Sequence, residues 1–332
     1  MNEGKSNWPK DYFGWAEVTS QIGCLWLLPV IGVILALLFS FIPSGVQSHH
    51  GTVVIYAAQD QVYAEPILKE FEKQTGIKVR AIYDSEATKT VAIANRLLAE
   101  RSRPQCDVYW GNEELRTRQL AAQNVFRETN GWVAFGYRSR RIAVSSVTNA
   151  MLVPMSLLDL TNTAYRGQVA LAYPLFGSTA THLLALRQHW GAAAWESWCR
   201  ALAANKPFLV DGNSVAARMA AKGQVAVALT DSDDIAAEIR EGGKLKSLGV
   251  ARETLLLPNT VAVIRSAPHP SAAQRLLEYL QSRAVTEKLV QAGVLEGAAA
   301  SDVAVETLKP DWDALLRDLD SGTKQLQGIF LR

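Results

Sequence analysis

The densest chemistry in the chain is Thr230-Asp231-Ser232-Asp233-Asp234, where three acids fall within four residues directly after the apolar run Val225–Leu229. Carboxylates are hard, anionic oxygen donors. Grouped this closely they suit a metal cation or a protonated amine. The plain alternative is an acidic first helical turn facing solvent, which the helix dipole also favours. Two further acids, Asp60 and Glu113, follow other strand-like runs and extend the oxygen-donor set to Asp60, Glu113, Asp233 and Asp234. A second chemistry is written in Phe176-Gly177-Ser178-Thr179 and in Asn213-Ser214, both where a strand gives way to a helix. Unpaired amides and the dipole at a helix start receive anions, and Gly177 lets the backbone approach closely. The Asn213 amide adds a donor, and capping alone would also explain these residue types. Ser85, Thr88 and Lys89 open another helix, with hydroxyls suited to a ligand and a cation suited to an anion; a capped helix start with a solvated Lys explains them equally. Trp110 ends a strand as a cleft wall or as core.

These groups need elements to carry them. Thr52–Tyr56 (TVVIY), Ile77–Tyr83 and Cys106–Trp110 read as strands, separated by amphipathic helices over Gln61–Thr75 and from Ser85 to Arg101. Strand–helix–strand alternation predicts a parallel sheet wrapped by helices. Ligands of such sheets sit off the carboxyl ends of the strands, which puts Asp60, Glu113 and the loop around Ser85 on one rim. Trp132–Ser145 reads as a long strand containing Gly136. Val169–Ala172, Phe208–Val210 and Val225–Thr230, with helices between them, predict a second α/β unit. Thr260–Arg265 is a further strand, followed by helices over Ser271–Ser282 and Ala284–Ala292.

The 332 residues carry 34 Lys and Arg against 32 Asp and Glu, a net charge of +2. No basic stripe with interleaved aromatics is present, so nucleic-acid binding is not expected. CxxC and HExxH patterns are absent, and the five histidines form no ligand pair on the rim, which argues against the common zinc and redox sites. Cys106 and Cys199 read as buried thiols. The 19-residue uncharged run Cys24–Ile42 is about 28 Å long as a helix, close to a bilayer core. It reads as an uncleaved anchor with the rest of the chain outside the cytoplasm; a cleaved signal peptide is the alternative.

Taken in order, VVIYAAQDQVYAEPILKEFEKQTGIKVRAIY, CDVYWGNEE, WVAFGYRSRRIAVS, NSVAARMAAKGQVAVAL and TVAVIRSAPHPSAAQRLLEYL resemble the iron(III)-type family of extracellular solute-binding proteins of ABC importers, over roughly 52–300. The resemblance implies a two-lobed, type II periplasmic-binding-protein-like α/β fold with crossing hinge strands. It implies partnership with an ABC permease, a monomer, and no catalysis. The expected organisation is a cytoplasmic lead (1–23), anchor (24–43) and linker (44–51), then lobe 1 (52–144), lobe 2 (145–254), a return to lobe 1 (255–300) and a C-terminal helical segment (301–332). In the family the Gly177-Ser178-Thr179 loop and the Asn213-Ser214 pair hold an oxyanion. Iron-binding members carry adjacent tyrosines where this chain has Asp233 and Asp234. The resemblance therefore implies a ferric or other metal ion with a synergistic oxyanion. The missing tyrosines leave open a small organic zwitterion, such as an aminophosphonate. A metal-dependent hydrolase and a sensory module are remoter readings.

Overall fold

The computed structural model describes residues 51–83, 89–128, 131–147, 153–303 and 306–331. The expected anchor, Ser85 and Thr88 lie outside them. Among the described residues no helix is long and apolar enough to cross a membrane.

The strands are β1 (Thr52–Ala57), β2 (Lys78–Tyr83), β3 (Val108–Gly111), β4 (Trp132–Ser145), β5 (Val169–Ala172), β6 (Phe208–Val210), β7 (Val227–Asp231), β8 (Leu245–Leu248) and β9 (Leu256–Val263). The longer helices are α1 (Gln61–Thr75), α2 (Lys89–Ala99), α3 (Glu114–Ala122), α4 (Gly177–Trp190), α5 (Ala192–Ala204), α6 (Asn213–Ala221), α7 (Ser232–Arg240), α8 (Pro270–Leu280), α9 (Arg283–Gln291) and α10 (Trp312–Phe330).

The strands form one mixed sheet in the order β2-β1-β3-β9-β4-β7-β5-β6, with β8 also paired to β4. β4 belongs to two half-sheets. Its first part pairs antiparallel with β9, and its second part with β7 and β8. Fourteen residues give β4 the length for this, since a strand rises about 3.3 Å per residue. The register of β4 on β9 shifts between Ala134 and Tyr137, where Gly136 takes φ +86 and Pro258 pairs with Tyr137. Proline lacks a ladder donor and is tolerated at such an irregularity. That is why β9 begins at Leu256, four residues before the strand expected from Thr260.

Each half-sheet has its own core. Val53, Ile55, Val108, Trp110 and Val261 pack under α1, α8 and α9, while Val54, Tyr56, Tyr109 and Ile264 pack under α2 and α3. Val144, Val169, Leu171, Val227 and Leu229 pack under α4, α5 and α10. On the other face Ala143, Ala170, Ala216, Ala220 and Ala228 allow α6 to approach the sheet closely.

The C-terminal helix α10 ties the halves together. Its Leu315, Leu319 and Leu326 are buried in the same cluster as Leu115 of α3, a helix that belongs to the first half. Arg118 of α3 lies 5.5 Å from the Trp132 ring centre and 5.6 Å from that of Trp312. Such cation–π contacts add to the apolar seam. Leu319→Ala is therefore expected to destabilise the protein by about 2–5 kcal/mol, read as a lowered urea midpoint at unchanged slope.

Candidate functional site

Arg138 and Arg140 stand two residues apart on β4, so their side chains leave the same face of the strand. They sit where β4 passes from one half-sheet to the other. β7 ends beside them, because Arg140 pairs with Asp231 in the strand register. Its last residue, Asp231, precedes α7, and Ser232 Oγ accepts a hydrogen bond from the Ser139 amide at 3.2 Å.

Asp231 is the hub. Its Oδ1 accepts from Arg140 Nη1 at 2.6 Å. Its Oδ2 accepts from Ser178 Oγ at 2.8 Å, from Arg138 Nη2 at 3.3 Å and from Asn213 Nδ2 at 3.3 Å. Burial would raise its pKa, but Arg140, Arg138 and these hydrogen bonds outweigh burial and hold the carboxyl below its ordinary range. Arg140 is fully buried and also donates to Asn213 Oδ1 (3.0 Å) and to the Leu229 carbonyl (3.2 Å). Thr179 Oγ1 lies 3.1 Å from the same Asn213 oxygen.

The groups read from sequence as an anion subsite (Gly177, Ser178, Thr179, Asn213) are thus brought together, but Ser178 and Asn213 already serve an internal carboxylate. Gly177, at φ +55, turns the chain into α4. The preceding Phe176 offers no side-chain cap to the first turn of α4.

The acidic donors divide. Asp231, Asp233 and Asp234 present carboxylate oxygens within 4.8 Å of one another. Asp233 Oδ1 is 3.2 Å from Arg138 Nε, and Asp234 Oδ2 accepts from Thr230 Oγ1 at 3.2 Å. Burial works against the Arg138 charge, yet Asp233, Asp231, Asp234 and Asp60 together raise its pKa above the ordinary value. Asp60, at the start of α1, therefore belongs to the same electrostatic neighbourhood. Glu113 does not belong to this carboxylate group. Its carboxylate caps α3, accepting from the amides of Leu115 (2.8 Å) and Arg116 (2.9 Å) and from Thr181 Oγ1 (3.2 Å). Burial raises its pKa despite Arg116 nearby. Its position after a strand-like run suggests a rim ligand, whereas here the carboxylate serves the start of its own helix. Trp110 is likewise placed away from a cleft wall. It is fully buried and packs its ring on Phe135, with centroids 5.7 Å apart.

Sequence reasoning missed Arg138 and Arg140. The signal was present in RSRR: Arg138 and Arg140 stand at period two inside a strand-like run flanked by apolar residues. Buried arginines of this kind demand carboxylate partners.

A family model described as bacterial extracellular solute-binding protein matches residues 52–295, well over half of the chain. Among solved structures, iron-bound HitA from Pseudomonas aeruginosa superposes with a TM-score of 0.73 at 20% identity, covering 84% of this chain and 99% of that one. The periplasmic binding protein AfuA from Actinobacillus pleuropneumoniae, with exogenous fructose-6-phosphate bound, gives 0.73 at 18%, covering 85% and 99%. The apo ferric ion-binding protein A of Pasteurella haemolytica gives 0.70 at 18%, covering 84% and 98%. At these identities the structural likeness speaks for the fold.

Proposed function

The chain belongs to the bacterial extracellular solute-binding protein family, and from that premise we propose that it captures a small organic solute bearing a protonated amine for an ABC importer. Two lobes, the half-sheets joined by β4 and β9, close over the solute by a hinge motion and present it to a membrane permease. The protein works outside the cytoplasm as a single chain, held to the membrane by the apolar run Cys24–Ile42. It captures and releases, with no chemical step.

One observation carries the ligand class. Four carboxylates, Asp233, Asp231, Asp234 and Asp60, act on Arg138 where β4 passes from one half-sheet to the other. Asp60 and Asp234 are the less buried of the four and so the ones a solute between the halves reaches. An ammonium group suits such a gathering of anionic oxygens, since charge-assisted hydrogen bonds are the strong ones. The acidic end of a zwitterion, such as an aminophosphonate, would rest on the first-turn amides of α4.

The second reading is a ferric ion with a synergistic oxyanion, favoured by the 4.8 Å grouping of Asp231, Asp233 and Asp234. Against it, Asp231 and Asp233 are engaged by Arg140 and Arg138, both buried. A trivalent cation at those oxygens would face two guanidiniums that have no room to leave.

Thermal unfolding of the full chain tests the proposal, with amino acids, aminophosphonates, divalent metals and ferric ion with phosphate as additives. A ligand at ~100 times its Kd adds about 2.7 kcal/mol of stability. Stabilisation by an amine-bearing solute, lost in Asp234→Asn, is the expected result. Stabilisation by ferric ion alone would replace it with the metal reading.

A further inference from the structure

A contact between the first turn of α1 and the last residue of α7, the same two helices that open the site, joins the two halves. α1 begins beside Asp60, and α7 begins with Ser232-Asp233-Asp234. At the far end of α7, Arg240 Nη2 donates to Tyr63 Oη in the first turn of α1 at 3.1 Å, and its guanidinium lies 5.8 Å from the centre of the Tyr63 ring. Tyr63 packs on the core of the first half, while α7 covers the second. The turn after α9 meets the same face of α7. A Cβ on Gly293 would stand 3.3 Å from Ala236 Cβ and 3.6 Å from Arg240 Nη2. Ala236 and Arg240 are four residues apart and share one face of the helix. That face is therefore seated against two elements of the opposite half, and the residue it meets at 293 carries no side chain.

We propose that Arg240, Tyr63 and the Gly293 turn form a latch that holds the two halves together across the mouth of the site, independently of ligand. The inference rests on the hinge-closure reading given above. Because each latching helix also carries acids of the cluster at its start, closing the mouth brings both donor sets to the solute. The latch adds closed-state stability without touching the ligand, so it acts on release. The pair is exposed to solvent, and its contribution is correspondingly modest, tuned so that the mouth still opens.

Hydrogen exchange on the full chain tests this. Arg240→Ala removes an exposed side chain and leaves the fold intact. It is expected to raise amide exchange in α1, around 61–68, by about two- to fivefold, the effect of an exposed charged contact. Tyr63→Leu should do the same to 236–241 of α7, and the double variant should add nothing further. Exchange that changes only in the helix bearing the substitution, or not at all, would overturn the latch. The hinge reading is tested separately with the amino-acid and aminophosphonate panel on the unmodified protein. Protection of both α1 and α7 by one of these solutes upholds the hinge even where the latch fails.

Discussion

Replacing Arg140 with methionine is expected to destabilise the protein by about 3–5 kcal/mol, the cost of leaving a buried carboxylate without its main partner. Methionine keeps the stem of the side chain, so the loss reports charge and hydrogen bonding more than volume. Arg140 donates to Asp231 at 2.6 Å; the other donors are the neutral Ser178 hydroxyl at 2.8 Å and, at 3.3 Å, Arg138 and Asn213. One neutral hydroxyl and two longer contacts do not replace a close guanidinium. Asp231→Asn alone takes the carboxylate from Arg140, while Arg138 keeps Asp233, and should also be costly. The double variant removes both charges of the pair. It should recover at least ~1.5 kcal/mol relative to the sum of the single changes, as coupled buried charges do. Urea unfolding of the three variants measures the cycle. Additive losses would mean that Asp231 is held by the fold around it and not by Arg140.

A pH effect of similar size is expected from His182. The ring is fully buried on α4. Its Nε2–H donates to the Glu253 carbonyl at 2.7 Å, and its Nδ1 is enclosed without a hydrogen-bond partner. Burial, and then the nearby Arg140 charge, lower its pKa from the ordinary 6.5 to about 3. The imidazole is therefore neutral when folded and takes up a proton on unfolding at mildly acidic pH. Its contribution is complete above the unfolded pKa. It is lost as pH falls from 6.5 toward the folded value of about 3. Between pH 7 and pH 5 this amounts to about 2 kcal/mol. His182→Gln removes the titration. The stability difference between the two proteins should shift by that amount across this interval. A pH-independent difference would place a partner at Nδ1 and refute the assignment. Asp231 works in a lower window. Its depressed pKa contributes stability that is lost only as pH falls below the ordinary carboxylate range.

Much of the architecture was legible. The β-branched run TVVIY, the helix Gln61–Thr75 closed by Gly76 in the left-handed conformation, and the 14-residue strand at Trp132–Ser145 follow from local pattern. Short apolar runs report strands covered on both faces, and both half-sheets carry helices on both faces. β8 was not legible, because LKSL alternates weakly and gains its place only by pairing with β4. The acidic run after β7 was legible as a charged rim. Its partition was not. Asp231 turns inward to two arginines because β4 and β7 run side by side, a pairing between positions about 90 residues apart that no local pattern encodes. The same holds for Glu113. Spacing placed it on the rim, while the fold spends its carboxylate on the amides of its own helix and on Thr181.

The central claim is that a solute with a protonated amine binds at the less buried acids of this cluster, between the two halves. Calorimetric titration of the full chain with the stabilising solute, in parallel with Asp234→Asn and Asp233→Asn, tests it most directly. The account predicts binding to the unmodified protein and at least tenfold weakening in Asp234→Asn, equivalent to ~1.4 kcal/mol. Unchanged affinity in both variants, or heat released only by ferric ion, would contradict it.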